Sequence, residues 1–215
     1  MYILAIETTG PHCSVAVTDE NGKLQVNRSE ATLNHLTRLV PMVQELLDGC
    51  GLRLSDMAAI AVSRGPGSFT GIRIGVSTAR AFCQATGVPG IAVPTLQTLC
   101  YSMPDCPGTM AVMVDARRGQ VYAGAYRWEN GSLAEVVPGG PYEETEFRAL
   151  VEKAAGGAEI TYMEDGIQDA GLVAQMALEM YRKGELTGYG SLLPDYMRKS
   201  GAEQKLEAAR AADGR

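Results

Sequence analysis

Residues 61 to 82 read AVSRGPGSFTGIRIGVSTARAF. Four glycines, Gly65, Gly67, Gly71 and Gly75, crowd around Pro66 between a short apolar run and a segment of helical period. Such a loop either holds a phosphate or lets a second backbone come close. A phosphate loop of the Gly-x-x-x-x-Gly-Lys-Ser/Thr type needs a lysine after its last glycine, and here Ile72-Arg73 follows Gly71. A dinucleotide fingerprint needs glycine where Thr70 stands. What remains is a strand-to-helix turn: glycines supply left-handed angles, Pro66 stiffens it, and Ser68 or Thr70 caps the first helical amides.

The helix behind this loop, Gly71 to Thr86, carries Ile72, Val76, Ala79 and Cys83 as a stripe for a sheet. Gly71, Gly75, Thr78 and Phe82 form a second line whose small residues admit another backbone. Arg73, Ser77, Arg80 and Gln84 form a third, polar face. Upstream, His35 to Leu47 shows a similar surplus, with Leu36, Val40, Val43 and Leu47 on one line and His35, Leu39, Met42 and Leu46 on another. The first line is expected to face the sheet. Pro41 inside this pattern either kinks the helix or moves its start. Packing on a single sheet uses one apolar stripe about 100° wide. Two helices with a spare face each predict a helix-on-helix contact with another protein.

Outward from this segment, Tyr2 to Thr8, Ser14 to Thr18 and Leu24 to Ser29 read as three strands. Asn21-Gly22 is expected to form a primed turn between the last two. Ala58 to Val62 and Gly90 to Val93 are short apolar runs of the kind covered on both faces. Three strands, a helix, a strand, a helix and a strand predict an α/β fold with a mixed sheet and right-handed crossovers. The pattern restarts after a boundary near Ser102 to Gly108. Met110 to Val114 and Val121 to Trp128 are strands flanking an Ala116–Gly119 turn, and Ile160 to Met163 is another. Phe147, Leu150, Val151 and Ala154 mark one helix; Leu172, Val173, Met176, Ala177 and Met180 mark the last, capped by Asp169 and stopped at Gly184. Ser200 to Arg215 is a charged, alanine-rich tail.

With 46% hydrophobic and 20% charged residues, the 215-residue chain has the composition of a soluble protein with a real core. Its 19 basic and 25 acidic residues give a net charge of -6, so the surface repels a phosphate backbone and any hold on nucleic acid falls to a partner. Five cysteines without a Cys-x-x-Cys pair speak against a disulfide framework and a zinc site. Met1 to Glu7 offers no basic leader and meets an acid too early for a signal peptide, which predicts a cytoplasmic protein.

The stretches ILAIETTGPHCSVAV (3–17), NHLTRLVPMVQELL (34–47), RGPGSFTGIRIG (64–75), VDARRGQVYAGAY (114–126) and PDYMR (194–198) resemble, in order and spacing, the TsaB family of tRNA threonylcarbamoyladenosine biosynthesis subunits. The resemblance implies the acetate kinase, sugar kinase, Hsp70 and actin (ASKHA, ribonuclease H-like) fold, with two related lobes, 1–103 and 104–215. It implies a cytoplasmic, non-catalytic scaffold without cofactor, paired with TsaD, the subunit that transfers the threonylcarbamoyl group to tRNA. TsaE, an ATPase, joins the pair; tRNA is met only through the complex, and the subunit alone forms homodimers. On this sequence the implied interface is His35, Leu39, Met42 and Leu46 of the first helix, with Ser68, Phe69, Thr70, Gly71, Arg73, Ile74, Gly75, Thr78 and Phe82 of the second.

TsaD-like relatives hold a metal with paired histidines after the strand ending here at Val93, where this chain reads Pro94-Thr95-Leu96-Gln97-Thr98-Leu99-Cys100. His12 and His35, its two histidines, lie in a hairpin turn and at a helix start, so no metal site is expected. Kinases of the fold place an acid and hydroxyls at the first strand's end, where Glu7-Thr8-Thr9 stands as a vestigial nucleotide site. Asp165-Gly166 imitates a second phosphate turn without its following glycine and threonine. Asp115 and Arg117 are expected to pair around the Gly119 turn. Two rivals remain: an independent ATPase or phosphotransferase, and a glycoprotease-like peptidase using Ser68 or Ser77, which would need a base in reach.

Overall fold

A computed structural model describes residues 1–32, 35–116, 119–164 and 166–197. The chain opens with an antiparallel meander: β1 (Tyr2–Glu7), β2 (His12–Asp19) and β3 (Leu24–Thr32). After α1 (His35–Cys50), strand β4 (Ala59–Gly65) pairs parallel with β1. Helix α2 (Phe69–Thr86) then leads to β5 (Gly90–Pro94), parallel to β4, and to the short α3 (Thr95–Cys100). The order β3-β2-β1-β4-β5 puts β1 at the centre, where Ile3 to Ile6 are wholly buried.

The turn after β2 departs from the expected primed form. Gly22 has φ +81°, while Asn21 is not among the positive-φ residues. Instead the Asp19 carboxylate accepts from the amides of Asn21 and Lys23 at 2.8 and 2.9 Å, and the Asp19 amide bonds the Lys23 carbonyl. A side chain that satisfies two turn amides makes a longer loop as good as a tight one. The primed pair lies elsewhere: Asn130 and Gly131, at φ +52° and +76°, join β7 (Gln120–Glu129) to β8 (Ser132–Glu143). None of the expected strands covers residues 132–143, a stretch that holds Pro138, Gly139, Gly140 and Pro141. The strand tolerates them at the sheet's edge.

The second sheet, ordered β8-β7-β6-β9, adds β6 (Thr109–Asp115) and β9 (Ile160–Met163), with α4 (Glu144–Ala155) between β8 and β9. It repeats the first four positions of the first sheet: two antiparallel neighbours on one side, a parallel one on the other. That repeated topology is the ribonuclease H-like fold of acetate and sugar kinases, Hsp70 and actin. In α4 the buried line is Phe147, Val151 and Ala155, so Ala155 replaces Ala154 and Leu150 faces out.

Helix α5 (Ala170–Arg182) corrects the division at 103/104. It lies on the first sheet, where Ala170, Val173, Ala174 and Ala177 pack against Ile3, Ala5, Ala16, Ala59, Ala61 and Ile91. Alanines on both sides let the helix sit close to the strands. Leu192 likewise joins the core under α1 and α2. The first lobe is therefore a sheet covered on both faces, built from two separate lengths of chain. Among the described residues no helix is long and apolar enough to cross a membrane.

Candidate functional site

At the end of β1 the chain turns inward. Glu7 is fully buried, and its Oε1 accepts from the Thr9 amide at 2.5 Å and the Thr9 hydroxyl at 2.6 Å, while Oε2 accepts from the Ser63 hydroxyl of β4. The Thr8 hydroxyl donates to the Gly71 carbonyl at 2.8 Å. Burial pushes the Glu7 carboxyl above its ordinary value, an effect that the Ser63 and Thr9 hydrogen bonds oppose. Glu7 is thus paired with Thr9 and Ser63, and the Thr8 hydroxyl with the Gly71 carbonyl.

The glycine loop serves the same packing. A Cβ on Gly71 would stand 1.9 Å from the Thr8 carbonyl oxygen, and one on Gly75 would stand 2.3 Å from the Thr8 hydroxyl. Gly67, at φ +152°, meets Thr9, whose carbonyl accepts from the Ser68 amide at 2.8 Å. Gly65, at φ +117°, meets the Asp195 carbonyl. The second backbone that these glycines admit is therefore the chain's own. Of the two capping candidates, Ser68 is the cap, accepting from the Gly71 amide at 3.2 Å.

A strap from the C-terminal side closes over the start of α2. The Asp195 amide donates to the Arg64 carbonyl at 2.7 Å, and Tyr196 stacks on Phe69 with ring centres 4.5 Å apart. Arg73 lies over the Phe69 ring at 4.1 Å and donates from Nε to the Tyr196 hydroxyl oxygen at 2.9 Å. Met197 continues into the core beneath the second sheet, beside Leu96, Met110 and Tyr126. The strap thereby ties α2 to both lobes. Sequence reading picked out these residues only as a motif, since no periodicity marks them.

A cleft of about 570 Å³ opens between the lobes, walled by Thr9, Ser68, Phe69 and Thr70 on one side and Asp115 and Tyr122 on the other. His12 opens β2, and His35 is 4% exposed with Nε2 donating to the Gly10 carbonyl at 3.0 Å. The candidate nucleophile Ser68 is a helix cap and Ser77 lies exposed on α2, so His35 is committed away from both. Among the described residues no cluster of three His, Cys, Asp or Glu side chains is placed to hold a metal. Arg117, Asp165 and the tail from Ser200 lie outside the described residues.

On α1 the second line is buried and the first is divided. His35, Leu39, Met42 and Leu46 are buried together with Val43 and Leu47, whereas Leu36 is 77% and Val40 52% exposed. The helix runs unbroken through Pro41. On α2 the stripe Ile72, Val76, Ala79 and Cys83 is buried as expected. The outward line is Ile74, Thr78, Ala81 and Ala85, the first two half-buried and the last two exposed. Phe82 leans toward α1 and walls a small groove with Val40, Val43, Leu47 and Leu54.

The tRNA threonylcarbamoyladenosine biosynthesis protein TsaB of Bacillus subtilis (strain 168) is 31% identical over 95% of this chain and 97% of its own length. The chain belongs to the TsaB family. TsaB of Escherichia coli (strain K12) is 40% identical over 61% of this chain and 58% of its own length. The family model described as TsaD, tRNA N6-adenosine threonylcarbamoyltransferase, matches residues 26–140. Among solved structures, YeaZ from Pseudomonas aeruginosa superposes with a TM-score of 0.77 at 27% identity, covering 91% of this chain and 99% of that one.

For this TsaB-family chain the interface implied by resemblance needs correction. His35, Leu39, Met42 and Leu46 fill its own core, and Gly71 and Gly75 press on Thr8. Phe69 and Arg73 are engaged by Tyr196, though Arg73 remains exposed. Ser68, Thr70, Ile74, Thr78 and Phe82 keep surface, joined by Leu36, Val40, Ala81 and Ala85, which the sequence reading placed elsewhere or left out. The exposed residues of α1 and α2 thus lie rotated about each helix from the lines expected to be spare.

Proposed function

We propose that this chain is a non-catalytic subunit of the cytoplasmic machinery that forms threonylcarbamoyladenosine beside the anticodon of tRNA. It docks on a TsaD-type transferase through the α1–α2 face and holds that partner's lobes in their active arrangement, a population shift driven by binding energy. A TsaE-type ATPase joins the pair, and tRNA is contacted through the complex. The observation carrying this reading is the pair Leu36 and Val40, large apolar side chains one turn apart and exposed on α1, with Val40 sharing a groove with Phe82 of α2, whose outward line Ile74, Thr78, Ala81 and Ala85 is uncharged. Apolar surface left contiguous on two neighbouring helices marks an interaction site. The self-satisfied Glu7, Thr8 and Thr9 support the absence of chemistry in the chain itself.

Val40→Asp tests it. A charge at the centre of such a face costs at least about 2 kcal/mol of association, roughly thirtyfold in affinity. The melting temperature should stay within a few degrees of the parent, because Val40 is half outside the core. Loss of TsaD-type partner in pull-down and calorimetry, with loss of tRNA modification in a reconstituted assay, is the expected result. Unchanged affinity would remove the face from consideration. The ATPase rival predicts instead that the isolated chain binds Mg-ATP tightly, and calorimetry without heat of binding disposes of it.

A further inference from the structure

Helix α2 is charged on one edge only. Between Phe69 and Thr86 it contains Arg73 and Arg80 and no Asp or Glu, in a chain whose net charge is -6. Seven residues apart, the two arginines share one edge, each immediately preceding an outward residue, Ile74 and Ala81. In heptad terms, with Ile74 and Ala81 at the seam, the arginines take the flanking position whose charge decides partner and orientation. Arg73 is fixed before any encounter by the Phe69 ring and the Tyr196 hydroxyl. A guanidinium already ordered loses less freedom on pairing. Arg80 forms no ion pair among the described residues.

We propose that this edge selects the partner by charge: the docking face takes a helix of the TsaD-type chain that presents carboxylates to Arg73 and Arg80, in preference to a second copy of this chain. The inference rests on the docking reading above and adds to it the chemistry of the occupant. A two-fold axis beside α2 brings one surface back on itself. The arginine edge would then face an arginine edge, and juxtaposed like charges work against that pairing. The apolar ridge alone would accept either occupant. The charged edge supplies the discrimination.

The test uses the full-length chain and the purified TsaD-type chain from the same genome. Affinity for the partner is measured by calorimetry, and self-association by sedimentation, at low and high salt. Partner affinity should fall about tenfold or more between roughly 50 and 500 mM salt, as screening of interfacial charge requires. Self-association should hold steady or tighten over the same range. Arg80→Glu should weaken the partner complex by about tenfold, since it sets a carboxylate against the carboxylates of the partner helix. Should the reversal lower the melting temperature, Arg80→Gln keeps the size and should still cost about threefold. If both Arg80 variants bind the partner normally while Val40→Asp does not, charge selection is overturned and the docking face stands. If Val40→Asp also binds normally, the face itself is wrong. Self-association as tight as the partner complex and indifferent to salt would also sink the proposal.

Discussion

Gly75→Trp should yield no soluble folded protein, and even Gly71→Ala should lower stability by about 3 kcal/mol, the upper range for overfilling a packed site. The Gly71 Cβ would fall 1.9 Å from the Thr8 carbonyl oxygen, and a rigid backbone atom cannot rotate away. Relief requires α2 to lift from the sheet, which breaks the Thr8–Gly71 hydrogen bond and loosens Ile72 and Val76 in the core. The gain in helix propensity from glycine to alanine, about 1 kcal/mol, does not offset this. Ala81→Trp is the matched control. It adds the same bulk on the same helix where the surface is exposed, so it should fold normally and lose the partner. Thermal melts of the three variants decide the matter: a Gly75→Trp protein melting with the parent would show that α2 does not lie against Thr8.

That control also marks where sequence reading gave out. Spacing showed that Gly71 and Gly75 admit a close neighbour, and nothing in a local pattern says whose backbone arrives. The neighbour is Thr8, more than sixty positions earlier in the chain. On α1 both lines were apolar at helical spacing, so periodicity could not choose between them. Burial centres between the lines, on His35, Leu39, Met42, Val43, Leu46 and Leu47, and leaves Leu36 and Val40 outside. His35, a polar residue in that core, gives a ring proton to the Gly10 carbonyl.

Elsewhere the local signals sufficed. The β-rich run of β1, the alternation in β2, the apolar runs of β4 and β5, and the buried stripe of α2 gave these elements and their succession along the chain, because each reflects contacts made by a regular element. Strand β8 escaped although Asn130-Gly131 marks a primed turn before it, and its own Pro138 and Pro141 are residues that sheets admit at their edges. The Tyr196 strap escaped for a different reason. Its partner Arg73 lies 123 positions earlier in the chain, with Phe69 one turn before that, and a three-residue contact has no period.

The largest effect beyond the glycines is expected at Glu7. Glu7→Ala strands the Thr9 amide and the Thr9 and Ser63 hydroxyls in a dry interior, at about 1–3 kcal/mol for each donor that finds no other acceptor. Glu7→Gln should do the opposite at neutral and alkaline pH. Burial raises the carboxyl above its ordinary 4.5, so the folded chain keeps a proton that the unfolded chain releases. The sign follows: this contribution to stability is whole below the ordinary value and drains away as pH rises through the folded one, by 1.36 kcal/mol for each unit of elevation. In the neutral carboxyl Oε1 still accepts from Thr9, while the Ser63 hydroxyl, which donates to the carboxylate, turns round to accept the proton on Oε2. A glutamine offers the same acceptor and the same donor at every pH. Melting curves from pH 5 to 9 should therefore show the parent losing stability relative to Glu7→Gln as pH rises, with the variant above it at pH 8. Should the variant melt below the parent at pH 8, the hydrogen bonds would outweigh burial and Glu7 would stand as a stabilised carboxylate. Partner affinity separates this packing role from a catalytic one, since Glu7→Gln should bind the TsaD-type chain as the parent does, whereas a nucleotide site built on Glu7 would lose its Mg-ATP.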